Sequence, residues 1–210
     1  MIPVSPKSEP SPPVFDFDAK VRKPGVAWLT SEGIPVSGPI PKGRKAPPYW
    51  RACLPHLHHE YGGICAYLCV YVERCSGGVS VDHYVAKSKV AGHTYEWSNY
   101  RLASATMNAR KRDYSTVLDP FTLTPGTFQL ELITGHIFVK PGLPPAARTA
   151  AQATIDRLNL DRPCREMRAR HYTHYLALRG ANNQLNPAAI AWLRSHSPFV
   201  FQEAQRQGVL

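Results

Sequence analysis

Acidic residues are scarce in this sequence, and it contains no long apolar segment. Its 210 residues include 15 Asp and Glu against 25 Lys and Arg, which gives a formal net charge of +10. This imbalance favours a polyanionic partner, because Lys and Arg neutralise phosphates and release the counterions around them. Many basic proteins bind no polyanion, so the charge by itself does not identify nucleic acid as the partner.

The sequence also lacks the features of membrane and secreted proteins. No apolar run is long enough to span a bilayer. The first residues, MIPVSPKSEPSPP, contain no apolar stretch of the kind found in a secretory signal. We therefore expect a cytoplasmic protein without a membrane partner. Its 43% share of hydrophobic residues is enough to bury a core, and its length fits one domain with extensions.

Cysteine is uncommon and occurs in an odd number. Of the five cysteines, Cys65, Cys69 and Cys75 lie close together in the sequence. An odd number without a secretory signal argues against a disulfide framework. The clustering indicates metal binding, or the remnant of a metal site.

Proline is concentrated at the N-terminal end and predicts a boundary there. Residues 1–48 hold eleven of the twenty prolines, so we expect an extended or irregular arm. Val26, Trp28 and Leu29 can attach this arm to the domain, although an unattached linker is the alternative. Residues 49–210 form the predicted domain.

The most informative stretch runs from residue 81 to residue 111. It contains an acid–histidine pair, two amides and a cation, at Asp82, His83, Asn99, Asn108 and Lys111. Such groups are able to hold a divalent metal against a phosphate while an imidazole moves a proton.

Local patterns predict the elements that carry these residues. Residues 64–84 are β-branched and aromatic, broken by Ser76-Gly77-Gly78, which is typical of a strand, a turn and a second strand. Residues 97–102 are expected to pair back as a strand. Residues 104–113 contain strong helix formers, with Ser104 as the N-cap. The prediction is a ββα unit.

The remaining elements complete a predicted α+β fold. A short helix is expected at residues 49–61, before the ββα unit. Residues 128–133 and 136–140 alternate apolar and polar residues around a turn, which predicts a hairpin. Three helices follow, at residues 146–160, 164–180 and 187–207, so the helical extension covers about 143–206.

The stretch from 81 to 111 resembles the motif of HNH, or His-Me finger, endonucleases. That motif has an acid before the catalytic histidine, a middle asparagine, and a final His or Asn followed three residues later by Lys. The five positions named above match it in order and spacing. The resemblance implies a ββα-metal finger within an HNH nuclease domain at residues 49–210.

A longer resemblance involves most of residues 50–180. VDHYVAKSK, YEWSNYRLA, LDP and ATIDRLNLDR are similar to segments of the PtuB-like anti-phage HNH nucleases of Septu and some retron systems. In that family the nuclease works beside an ATPase. The resemblance thus implies DNA cleavage in anti-phage defence together with an ATPase partner.

The chain departs from many of these relatives at a structural zinc site. Relatives frame the finger with two cysteine pairs, whereas here the second pair falls on Ser104 and Met107. Structural zinc takes four nitrogen or sulfur donors, and serine and methionine are poor ligands. We therefore expect no structural Zn²⁺, and Met107 to serve in packing.

The resemblance also implies a role for each residue. Asp82 and Asn108 would hold Mg²⁺ or Mn²⁺, which prefer oxygen ligands. His83 would accept a proton from the attacking water, and Asn99 would orient the imidazole or hold the loop that carries it. Phosphate contacts would come from basic side chains, namely Arg110, Lys111 and Arg112, with Lys87 and Arg101 as weaker candidates.

Other interpretations stay open on the sequence alone. One alternative is that His83 is an ordinary histidine at the end of a strand and that Asn99 is a turn residue. The chain is then a non-catalytic nucleic-acid-binding or scaffold subunit that retains a degenerate finger. RNA is not excluded as the substrate.

Overall fold

The computed structural model describes residues 1–178, 184 and 186–210. The fold is a mixed α+β fold with two small antiparallel sheets, in agreement with the predicted class. The chain forms two compact units. The motif unit comprises Ser5–Gly63 and Glu73–Ser115, and the helical unit comprises Met1–Val4, Ile64–Val72 and Thr116–Leu210.

Two strands and a helix form the centre of the motif unit. Strands β1 (Val79–His83) and β2 (Tyr100–Ser104) pair antiparallel, which places Asp82 opposite Arg101. Ser104 ends β2 and caps the next helix, since its side chain accepts a hydrogen bond from the Met107 amide at 3.2 Å. The predicted order of strand, returning strand and capped helix is confirmed.

Most of the N-terminal arm, from Ser5 onward, belongs to the motif unit, so the units divide the chain differently from the predicted boundary at residue 48. It contains a π-helix (Asp18–Arg22) and helix α1 (Lys23–Ser31), which has Pro24 in its first turn. Leu29 is buried, whereas Val26 is exposed. The arm is therefore attached to the core, and it is not extended throughout.

The rest of the motif unit surrounds β1 and β2. The predicted helix at residues 49–61 is present as a 3-10 turn (Tyr49–Cys53) followed by helix α2 (Leu54–Glu60). Helix α3 (Ala105–Lys111) packs on both strands. Aromatic side chains from the arm, from the turn before β2 and from β2 itself share one core, including Phe17, Trp97 and Tyr100.

The prediction of a strand before the Ser76-Gly77-Gly78 turn is wrong. Residues 64–74 make only one isolated bridge, between Ile64 and Tyr71. The Cys69 amide donates to the Cys65 carbonyl at 2.8 Å, and Cys69 has a positive φ of 56°. This turn folds the segment back on itself, which prevents it from pairing with β1.

The helical unit contains the predicted hairpin and helices. Strands β3 (Phe128–Leu130) and β4 (Ile137–Val139) pair antiparallel, over fewer residues than predicted. The described residues after the hairpin form four helices, α4 (Pro145–Leu158), α5 (Cys164–Ala177), α6 (Pro187–His196) and α7 (Pro198–Arg206). The helix predicted at residues 187–207 is two helices, because Pro198 cannot continue α6 and begins α7 instead. The last two residues of the predicted 164–180 helix lie outside the described residues.

None of the helices in the described part of the chain combines the length and the apolar character that a membrane span requires.

Candidate active site

Three of the five motif residues meet at one cleft of the motif unit. The cleft has a volume of about 710 Å³, and its lining includes Asp82 and His83 from the end of β1 and Asn108 from α3. Asn108 is far from Asp82 and His83 in the sequence. The three come together because β2 returns the chain along β1 and α3 then packs across both strands. An acid, an imidazole and an amide therefore share one opening to solvent.

The His83 ring is held in a defined orientation. Its Nε2 lies 3.0 Å from the carbonyl oxygen of Thr94, and a carbonyl only accepts hydrogen bonds, so Nε2 carries the hydrogen and Nδ1 has the lone pair. The ring makes edge contacts with Trp50 and Tyr100, at centroid distances of 4.7 and 5.2 Å. Burial, aided by the nearby Lys87 ammonium, lowers the pKa of His83 to about 3. The imidazole is thus neutral at physiological pH.

Asn99 holds the two segments on either side of the imidazole. Its Oδ1 accepts from the Val85 amide at 2.7 Å, and its Nδ2 donates to the carbonyls of Val85 and His93 at 3.0 and 2.9 Å. Val85 follows His83 by two residues, and His93 precedes the Thr94 carbonyl that binds the ring. The geometry corresponds to the second of the two predicted alternatives, in which Asn99 holds the loop.

Lys111 lies inside the protein and does not suit the predicted phosphate contact. Its ammonium is 3.3 Å from Oδ1 of Asp82, and the two side chains are 0% and 1% exposed. It also donates to the carbonyls of His83 and Tyr84, at 3.0 and 2.9 Å. Lys111 lies three positions after Asn108, which places both side chains on the face of α3 that packs on β1. The Lys111 side chain therefore points inward.

Arg101 is likewise unsuited to its predicted phosphate contact. It is 4% exposed, and its guanidinium donates to the Ser98 and Tyr100 carbonyls at 2.8 and 3.1 Å. The group also lies over the Tyr84 ring, 5.1 Å from its centroid. Arg101 therefore serves in packing around β2.

Asn108 presents a specific atom to the cleft. Its Nδ2 donates to Ser80 Oγ at 2.6 Å and to the Val81 carbonyl at 3.3 Å. Both amide hydrogens are thereby used, which leaves the carbonyl oxygen Oδ1 for another partner. An amide oxygen beside a carboxylate is a donor set that suits a hard cation.

Comparison of the chain with models of protein families gave no match, and neither did comparison with curated proteins. Within the described residues, no three His, Cys, Asp or Glu side chains are grouped to hold a metal. A metal at this cleft would depend on Asp82 and Asn108, with its remaining ligands from water and substrate.

Cys65, Cys69 and Cys75 do not all belong to one unit. Cys65 and Cys69 are buried in the helical unit, whereas Cys75 is exposed in the motif unit. Met107 is buried, as predicted for a packing residue.

The remaining predicted cations differ in accessibility, and the cleft adds residues that the sequence did not reveal. Lys87 and Arg112 line the cleft, and Arg112 is exposed, whereas Arg110 is partly buried. The lining residues that come from residues 41–53 include Arg44, Trp50 and Arg51. Nothing in their spacing relates them to the motif; the only available signal was the aromatic–cation pair Trp50-Arg51.

Proposed function

We propose that the chain is a metal-dependent endonuclease of the HNH type that hydrolyses DNA phosphodiester bonds through a ββα-metal finger. The observation that supports this most is the meeting of Asp82, His83 and Asn108 at one cleft. The tautomer of His83 adds support, because its basic Nδ1 is the nitrogen that the Thr94 hydrogen bond leaves unprotonated.

The residues present fit a magnesium or manganese ion. Mg²⁺ is commonly bound by one or two protein oxygens, with water and substrate phosphate completing its ligands. Asp82 would contribute a carboxylate oxygen and Asn108 its Oδ1. When bound, such an ion withdraws charge from the scissile phosphate and from the leaving oxygen.

The side chains of the finger then have separate tasks. His83 Nδ1 would accept a proton as a water oxygen bonds to phosphorus, and the leaving oxygen would take a proton from solvent as its bond to phosphorus breaks. Asn99 would keep the Val85 and His93 segments in place, so that the Thr94 carbonyl continues to orient the ring. Lys111 would keep Asp82 in position at the end of β1.

A second candidate function is a non-catalytic nucleic-acid-binding or scaffold subunit. Two observations favour it, namely the ion pair that Asp82 forms with Lys111 and the low pKa of His83. The Lys111 cation offsets charge that would attract a metal, and a general base works best when its pKa lies near the working pH.

Cleavage of plasmid DNA with Mg²⁺ or Mn²⁺ separates the two functions. We expect the wild-type protein to cut and His83→Ala to lose at least about 100-fold in rate, because general base catalysis contributes about 10²–10⁴. His59→Ala is the matched control, since His59 is an exposed histidine of the same unit. Equal cutting by all three proteins would remove His83 from the mechanism.

The biological setting is part of the same proposal. We propose that the nuclease acts in anti-phage defence beside an ATPase partner, so cleavage should also be assayed with candidate ATPases present. Inactivity of the wild-type protein with its partner would favour the scaffold function. Parallel assays with single-stranded RNA test whether RNA replaces DNA as the substrate.

A further inference from the structure

Two cations from distant parts of the sequence lie near each other on the same cleft. Arg51 comes from the 3-10 turn at Tyr49–Cys53, and Lys87 comes from the loop after β1. Lys87 is partly buried, and its ammonium lies 4.0 Å from the centroid of the Trp50 ring. Trp50 in turn contacts the His83 ring, so the Lys87 ammonium is held close to the proposed base.

Main-chain hydrogen bonds hold these segments together. The Ile40 amide donates to the Lys87 carbonyl at 3.0 Å. The amides of Ala91 and Gly92 donate to the carbonyls of Gly38 and Val36, at 2.6 and 2.9 Å. The arm therefore lines the Lys87 loop along its length and fixes the position of this wall of the cleft.

The charges around Lys87 are unbalanced. Burial, together with the repulsion of Arg51, lowers the pKa of Lys87, while the weaker attraction of Asp82 acts in the opposite direction. A phosphate placed between the two cations would relieve that repulsion, and it would also replace solvent around a partly buried ammonium. The protein thus holds two like charges together at an opening, where an anion is the natural partner.

We infer that Arg51 and Lys87 form a phosphate-binding pair that grips the DNA strand next to the bond being cut, with Trp50 as the residue that positions Lys87. The inference rests on the proposed nuclease function, and it extends substrate binding to the 3-10 turn at Tyr49–Cys53, outside the finger. Arg44 lines the same cleft but is paired with Glu32 at 2.9 Å, so it lies outside the pair.

Equilibrium binding without metal tests the pair separately from catalysis. Fluorescence anisotropy would follow a short labelled DNA duplex, in EDTA and at increasing salt, with wild type, Arg51→Gln, Lys87→Gln and the double variant. We expect the double variant to bind about tenfold more weakly at low salt. The slope of log K against log salt should fall by about one for each lost phosphate contact.

Matched controls separate a local site from general charge. Arg148→Gln/Arg162→Gln removes the same charge from exposed positions of the helical unit. Arg51→Lys keeps the cation and should restore most of the affinity. Thermal unfolding of every variant confirms that the fold is intact.

Each outcome has a defined meaning. Weak binding and a reduced slope confined to the Arg51 and Lys87 variants support the pair. Equal losses in both double variants, or no loss in either, overturn the pair even if the wild-type protein binds and cuts DNA. A wild-type protein that binds RNA but no DNA, or no nucleic acid at all, overturns the proposed DNA nuclease as well.

Discussion

The ammonium of Lys111 lies 3.3 Å from Oδ1 of Asp82, and neither side chain is more than 1% exposed. The same ammonium binds the carbonyls of His83 and Tyr84, where β1 ends. Lys111 thus ties α3 to the strand end that carries the acid and the imidazole. A buried cation in this position stabilises the geometry of the cleft and is not available to the substrate.

Lys111→Met tests this internal role. The variant leaves the Asp82 carboxylate buried without its cation, and removing one member of a buried pair typically costs about 3–5 kcal/mol. Urea unfolding should show a loss of this size. Arg112→Met, at the next and exposed position, should stay within about 0.5 kcal/mol of wild type. If Lys111 instead contacts phosphate, Lys111→Met will keep its stability and lose DNA affinity.

Asn99→Asp tests the clamp around the imidazole. The carboxylate keeps an acceptor for the Val85 amide but turns two donors into acceptors that face the carbonyls of Val85 and His93. We expect a loss of about 2 kcal/mol in unfolding free energy, together with a fall in kcat larger than any change in KM. His93→Ala should leave both unchanged, because it removes an exposed side chain and keeps the bonded carbonyl. Wild-type stability in Asn99→Asp would contradict the clamp.

The stability of the fold should depend on the protonation of His83. The pKa of His83 is lowered from 6.5 to about 3 in the folded protein, mainly by burial. The unfolded chain binds a proton between these values that the folded chain does not, so the stabilising contribution is complete above pH 6.5 and is lost as the pH falls towards 3.

His83→Gln isolates this contribution. Unfolding free energies measured from about pH 7 down to about pH 4 should fall less steeply in the variant than in wild type. The lowered pKa of His171 acts in the same direction but is present in both proteins, so it cancels in the difference. Parallel curves for the two proteins would show that His83 is already accessible to protons in the folded state.

Gly25→Ala should destabilise the protein, against the usual effect in a helix. A Cβ at residue 25 would lie 2.1 Å from a ring carbon of Tyr95, and that ring is buried with its hydroxyl donating to the Pro47 carbonyl. Overpacking of this kind costs about 1–3 kcal/mol, which exceeds the roughly 0.5–1 kcal/mol gained by replacing a helical glycine.

Thermal unfolding measures the sign of this effect. The matched control is Ala27→Gly, an exposed position of the same helix, which should lose only the helix propensity of about 1 kcal/mol. A stabilised Gly25→Ala protein would mean that α1 does not press against Tyr95.

Local patterns predicted the elements around the motif well. Three predictions each depend on neighbours within a few residues: Ser104 as an N-cap, a returning strand at residues 97–102, observed as Tyr100–Ser104, and a hairpin at residues 128–133 and 136–140, observed over fewer residues. Patterns of that range failed at Cys65–Cys69, where a tight turn replaces a strand in a segment with strong β propensity. The β propensity of a segment does not describe the backbone geometry of such a turn. The residues alone could therefore not exclude an extended strand.

The sequence by itself determined which chemical groups are present and on which strand or helix each one lies, because capping, alternation and helical spacing are short-range effects. Only the tertiary structure decided that Lys111 and Arg101 are buried, and that Arg51 reaches the cleft from the 3-10 turn before α2. Burial and convergence depend on how distant segments pack. Lys111 and Arg51 carry the same charge, yet their roles are opposite, because Lys111 faces the Asp82 carboxylate inside the protein and Arg51 faces solvent.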